Sequence, residues 1–286
     1  MNRRIFLLWS VTIAALAACG DPSGVSVATD PTTPQTSPAT TPSTVPATIA
    51  HPTGPDEAVL ELQYQGGLMA PGGDFASVPY LVVSGDGRIF TPAPASAPAP
   101  GPLMENILVR QSNEAGLQKL LGIVARAGLL ATPPEYPDRH NVADAPNTVL
   151  TINASGGTFV HSAYGLGIGD PETGARKTLF DAVTALSNLD VGASNIDVGA
   201  SFVPTAYRVQ ARVIDPQWTG QELAPMIVDW PVGTGVALAT ATECARIDAA
   251  AVGSLFDEAQ QNTFFREAGV VYQLSVRGVL PGDPAC

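Results

Sequence analysis

From residue 57 onward, short stretches of alternating apolar and polar positions are interrupted by longer stretches with helical spacing. Val59-Leu60-Glu61-Leu62-Gln63-Tyr64 reads as a strand, broken by Gly66-Gly67. Val78 to Ser84 and Arg88 to Thr91 flank Gly85-Asp86-Gly87 and predict a β-hairpin, because Asp-Gly tolerates the positive φ of a tight turn. Pro92 to Pro102 reads as a Pro/Ala-rich surface loop. A helix over about Glu114 to Leu129, capped by Asn113 or Ser112, gathers Leu117, Leu120, Leu121, Val124 and Leu129 on one face. A polar loop over Thr132 to Asn147 precedes a second hairpin, Thr148–Ile152 with Thr158–Ser162. Asp170-Pro171-Glu172 then supplies a cap, a first-turn proline and an early carboxylate for a helix ending near Leu189 that carries Leu179, Phe180, Val183 and Leu186.

The stretch Val191 to Ser201 is rich in Gly, Ser and Asn and marks a soft boundary near 190–203. Beyond it, Tyr207 to Val213 alternates as a half-buried strand, and Val236 to Ala239 reads as another. Asp248 can cap a helix through about Gln260, and Val270 to Arg277 is a strand. The fold class expected is α+β, antiparallel hairpins with covering helices, as an α+β domain over 57–190 and a second α+β subdomain over 203–286.

The first 56 residues follow other rules. Asn2, Arg3 and Arg4 form a positive head, and Ile5 to Ala18 is apolar apart from Ser10 and Thr12, too short to span a bilayer comfortably. This is the layout of a signal peptide over 1–18. It ends in Leu16-Ala17-Ala18-Cys19, which resembles the lipobox of bacterial lipoprotein precursors. The resemblance implies that the Cys19 thiol receives a diacylglyceryl group and that cleavage leaves it as the mature N-terminus. The implied partner is membrane lipid, held through acyl chains that contribute about 0.8 kcal/mol per buried methylene. Arg3-Arg4-Ile5-Phe6-Leu7 also resembles the core of a twin-arginine export signal, with Asn2 and Leu8 departing from it, so either export route is open.

Gly20 to about Asp56 is rich in Pro, Thr, Ser and Ala and lacks aromatic residues, so it cannot bury enough apolar surface to offset its ordering entropy. It is expected to be a disordered tether, on the order of 110 Å long if fully in the polyproline form. His51 falls within it.

Composition narrows the function classes. Removing residues 1–18 takes Arg3 and Arg4 from the fourteen basic residues, leaving twelve against twenty-six acidic ones, a net −14. With no basic stripe and only Lys119 and Lys177 as lysines, a nucleic-acid partner is not expected. With Cys19 assigned to lipid, Cys244 and Cys286 remain. An even pair in an oxidising compartment reads as a disulfide, worth about 4 kcal/mol by loop entropy; free thiols or a metal site would lack a nearby histidine.

Candidate chemistry is sparse. His161 and Ser162 are adjacent on a predicted strand and so face opposite ways. His140, within Asp138-Arg139-His140-Asn141 and near Asp144, is the best polar cluster, but a zinc site would need further converging ligands. No serine elbow, His-Glu-x-x-His pair, phosphate loop or dinucleotide fingerprint occurs. No metal, cofactor or catalytic residue is expected. Trp218 and Trp230, close to Pro216, Pro225 and Pro231, could form an aromatic platform for a ligand, but core filling or a rigid loop is the favoured reading.

Across 58–189, the order strand, Gly66-Gly67, hairpin with Ser84-Gly85-Asp86-Gly87-Arg88, leucine-rich helix, second hairpin and helix resembles the emfourin-type domain. Members of that family inhibit thermolysin-like metalloproteases, so the resemblance implies protease inhibition. Leu68-Met69-Ala70-Pro71 stands where the family has Phe-Ala-Gly, and 92–106 is an added loop. The ending Arg277-Gly278-Val279-Leu280-Pro281-Gly282-Asp283 before Cys286 resembles those of secreted actinobacterial-type lipoproteins. Three functions therefore stand. One is a non-enzymatic envelope lipoprotein with a binding or interaction role, towards an envelope protein or an unidentified small molecule, exported and facing the cell wall or periplasm. The others are an inhibitor of an exported metalloprotease, presenting 66–73 or 92–106, and an enzyme whose site is dispersed in sequence.

Overall fold

The computed structural model describes residues 48–94, 99–138, 142–188, 199–214 and 224–286, all within one compact unit. Its framework is two sheets. In the first, alternation places Leu60 and Leu62 of β1 (Ala58–Gln65) on one face and Glu61 on the other. Strand β1 pairs antiparallel with both β2 (Leu81–Ser84) and β5 (Asn147–Ala154). Strand β3 (Arg88–Pro92) and β6 (Gly157–Tyr164) close the two expected hairpins. Gly87 takes the left-handed φ of 85° at the first turn, and Ser155 and Gly156 take 52° and 74° at the second. The sheet order is β6-β5-β1-β2-β3-β4-β7, completed by β4 (Ile107–Gln111) and β7 (Ala200–Ser201).

Helix α2 (Glu114–Arg126) covers one face of this sheet with the expected leucines. The Asn113 side chain accepts the Gly116 N–H at 2.9 Å as its cap, and Gly128 at φ 71° follows the last turn. Helix α3 (Gly174–Ser187) lies beside it and buries Leu179, Val183 and Leu186, whereas Phe180 stays exposed. A four-residue helix, α1 (Gly73–Ala76), packs against the second sheet.

The second sheet has the order β10-β8-β12-β11-β9, from β8 (Ala206–Val213), β9 (Met226–Asp229), β10 (Ala245–Asp248), β11 (Thr263–Glu267) and β12 (Val270–Gly278). All its pairings are antiparallel except β11 with β9. Its core is aromatic: Trp230, Phe256 and Phe265 form a ring cluster that Tyr207 joins edge-on, 5.0 Å from Phe256. The tail couples the two sheets. Leu280 packs with Val82, Phe90 and Ile107 on the back of the first sheet, and Gly282 N–H donates to Asp56 O at 2.9 Å. The sulfurs of Cys244 and Cys286 lie at disulfide distance, their Cα atoms 5.1 Å apart.

Several expectations are corrected. Residues 48–56 are not tether but part of the fold: Gln118 exchanges hydrogen bonds with both backbone groups of Ile49, and Ser155 N–H donates to Ala50 O. The first sheet also runs past the expected boundary, since β7 pairs with β4. Helix α3 starts at Gly174, after Thr173, and not after Asp170-Pro171. Glu172 is drawn inward instead, gripping Arg176 from both carboxylate oxygens and accepting Gly167 N–H. That pair is buried, and a buried guanidinium requires such a partner. Val236–Ala239 is no strand, because Leu238–Thr240 makes a 3₁₀ turn. The expected helix from Asp248 to Gln260 is two single turns, α4 (Ala249–Val252) and α5 (Leu255–Glu258), broken at Gly253 and uncapped by Asp248.

Candidate functional site

An apolar-lined opening lies where the segment 99–106 runs beside α1 and residues 259–261. Leu103 N–H donates to Ala259 O and Gln261 N–H donates to Gly101 O, both at 2.9 Å, so this segment is held along 259–261 as a short extra ribbon. On one side of it is a cavity of about 700 Å³ lined by Met69, Pro92, Leu103, Met104 and Gln261. On the other is one of about 240 Å³, reaching Phe202, Phe256 and Gly278. Glu105 borders both, and although the residue is open to solvent on one side, burial of its carboxyl pushes its pKa up. Met69 is delivered by the 66–73 loop, whose path depends on left-handed Gly66, Gly67 and Gly72. A Cβ on Gly72 would collide with the Ser275 side chain. Leu68, next to Met69, is 90% exposed. The unbranched, polarisable thioethers of Met69 and Met104 give this wall an adaptable apolar surface.

A second polar constellation lies between the sheets. Arg277 donates to both oxygens of Asp283, at 3.1 and 2.6 Å, and Leu280 N–H donates to it at 2.8 Å. Arg208 Nη1 reaches the same carboxylate at 3.5 Å, its Nη2 lies 3.7 Å from Cys244 Sγ, and its guanidinium stacks on Phe75. Glu61 faces this cluster from β1. Burial, and then the Asp283 charge, raise its pKa, with Arg277 opposing.

The other singled-out residues are dispersed. Trp230 is 7% exposed and fills the second core, donating its indole N–H to Val236 O at 3.0 Å, so it is no exposed platform. Trp218 lies outside the described residues, as do Cys19, the rest of the signal and lipobox, and His140. His161 is a core histidine: one ring nitrogen meets Tyr136 Oη at 2.7 Å and the other Leu129 O at 2.9 Å, while Ser162 points to solvent. His51, placed in the tether by composition, is packed instead, with its side chain 5% exposed and its ring between Pro52 O and Glu114. The Glu114 pKa falls because Gln118 and then His51 hydrogen-bond its carboxylate. Among the described residues no group of three His, Cys, Asp or Glu could hold a metal ion, and no helix is long and apolar enough to cross a membrane.

The 99–106 ribbon and its cavities were missed from sequence, where this stretch read as a plain loop. The apolar triplet Ile107-Leu108-Val109 was the available signal that a strand began there. Comparison of the chain with family models, with curated proteins and with solved structures finds no match in any of the three.

Proposed function

We propose that this chain is an exported lipoprotein that binds a protein partner of the cell envelope, held at the membrane through an acylated Cys19. The anchor rests on Arg3-Arg4, the apolar run to Ala18 and Leu16-Ala17-Ala18-Cys19. The observation that carries the binding half is the exposed Leu68, next to Met69 in the wall of the 700 Å³ cavity. A lone exposed leucine is ordinary on a protein surface. Here it stands on a loop whose left-handed glycines define its path, beside a cavity floored by Leu103 and Met104. Burying Leu68 against a partner would contribute about 2 kcal/mol.

The test has two arms. Labelled palmitate incorporated by the wild type and lost in Cys19→Ser, with release from the membrane fraction, supports the anchor; label retained in the variant overturns it. Pull-down of the lipidated protein from its own envelope, compared with Leu68→Asp, addresses the binding. A partner recovered reproducibly by the wild type and lost by the variant supports the reading, and failure to recover any overturns it.

The same loop favours a second reading, inhibition of an exported metalloprotease, since 66–73 presents Leu68 and Met69 outward. Titration of a thermolysin-type protease with the folded chain decides it. Loss of protease activity that Leu68→Asp abolishes supports inhibition, and undiminished activity at excess chain removes it.

A further inference from the structure

We infer that the Cys244–Cys286 pair is a thiol–disulfide exchange site for a small aliphatic thiol, with Cys286 the sulfur attacked and Cys244 the sulfur that leaves. The inference is independent of the partner-binding reading. Three observations carry it.

First, the two half-cystines are unequal in access: Cys286 is exposed, together with Pro284 and Ala285, whereas Cys244 is half-buried just before β10. Second, the sulfurs are unequal in electrostatic support. Arg208 Nη2 lies 3.7 Å from Cys244 Sγ, and the stack on Phe75 and the contact with Asp283 hold the guanidinium there. A cation at the leaving sulfur lowers the pKa of the departing thiol and speeds its departure. Third, the cluster has too few acceptors. Arg208 and Arg277 share the single carboxylate of Asp283, and the Nε atoms of both arginines are buried without a hydrogen-bond partner among the described residues. Negative charge developing on Cys244 therefore enters a site with surplus donors, and Glu61, whose ionisation burial opposes, competes weakly for them.

In the first step an external thiolate attacks Cys286 Sγ. The S–S bond breaks with its electron pair passing to Cys244 Sγ, and a mixed disulfide forms on Cys286. A second thiolate attacks the external sulfur of that mixed disulfide, releasing Cys286 as a thiolate. The external thiol is oxidised to its own disulfide, and the pair is reduced to two thiols.

The experiment uses the folded, oxidised full chain and reduced glutathione at neutral pH, quenched by alkylation at intervals and mapped by peptide mass spectrometry. Early samples should carry glutathione on Cys286 and the alkyl group on Cys244. Arg208→Gln should slow mixed-disulfide formation about five-fold, as expected when a leaving thiol loses its cationic neighbour. Arg212→Gln, an exposed position on the same strand, should leave the rate unchanged. Glutathione found on Cys244, a wild-type rate in Arg208→Gln, or no adduct while the far-UV dichroism remains native would each overturn the proposal. Should Arg208→Gln fail to fold, the position of the adduct on the wild type still decides it.

Discussion

The two sheets solve one problem, the burial of charge beside an apolar core, in different ways. On the first sheet the buried pair is local: Glu172 and Arg176 are four residues apart, and the arginine also donates to Pro137 O and Tyr164 O. In the second, the buried charges come from β8, β12 and the tail, Asp283 being 75 residues from Arg208. The local carboxylate and guanidinium are brought together where the chain enters α3, whereas the distant ones meet only after three segments have assembled. The cores differ likewise. The first is aliphatic and read from helix α2 and paired hairpins, while the second is a cluster of rings from five separate segments. Non-local assembly makes the second sheet more dependent on the few residues that join its parts.

The largest expected effect tests that dependence. Asp283→Ala removes the anion shared by buried Arg277 and half-buried Arg208 and should cost about 4 kcal/mol, measured by urea unfolding. Hydrogen exchange in this variant should accelerate in β8 and β12 while β5 and β6 keep their protection; uniform acceleration would show that the two sheets do not differ in this way. Leu121→Ala, in the fully buried face of α2, should cost about 3 kcal/mol and accelerate β1 and β5 instead.

Turn chemistry sharpens the comparison with the opposite sign. The β11–β12 hairpin turns at Ala268-Gly269, both at positive φ (48° and 81°), where alanine is strained. Ala268→Asn should raise the unfolding free energy by about 0.5 kcal/mol. Ser155-Gly156 occupies the equivalent turn of the first sheet.

The smallest effect is a pH slope. Burial raises the folded pKa of Glu61, so the folded chain holds that proton more tightly than the unfolded chain does. Its contribution is present below the ordinary glutamate pKa and is lost as pH rises through the raised one. Glu61→Gln should remove that loss, flattening the stability profile above the acid range in thermal melts. An unchanged slope would show that burial does not hold the Glu61 proton.

Legibility in the sequence followed the same division. The strands around Gly85-Asp86-Gly87 and Asn153–Gly157, and the leucine face of α2, were readable because turn and periodicity signals lie within a dozen residues. The β11–β12 hairpin was half missed, since Ala268-Gly269 is not a favoured turn pair and β11 opens on Thr263-Phe264-Phe265 without alternation. Strands β9 and β10 are four residues each, too short for any period to register. Of the candidate site, only Cys244 and Cys286 were legible as a pair, by elimination among three cysteines. The Met69–Met104 cavity was not, because its walls are 35 residues apart in the chain.

By itself, the sequence determined the α+β class, the two hairpins, the capped leucine helix and the paired cysteines, all properties of neighbouring residues or of composition. Tertiary structure alone decided that residues 48–56 pack against α2, that Trp230 is core, that Glu172 turns inward and that Arg208 lies against Cys244. Each depends on burial and on the pairing of polar groups across the fold, and the free energy of a buried charge or ring is set by neighbours that local spacing does not specify.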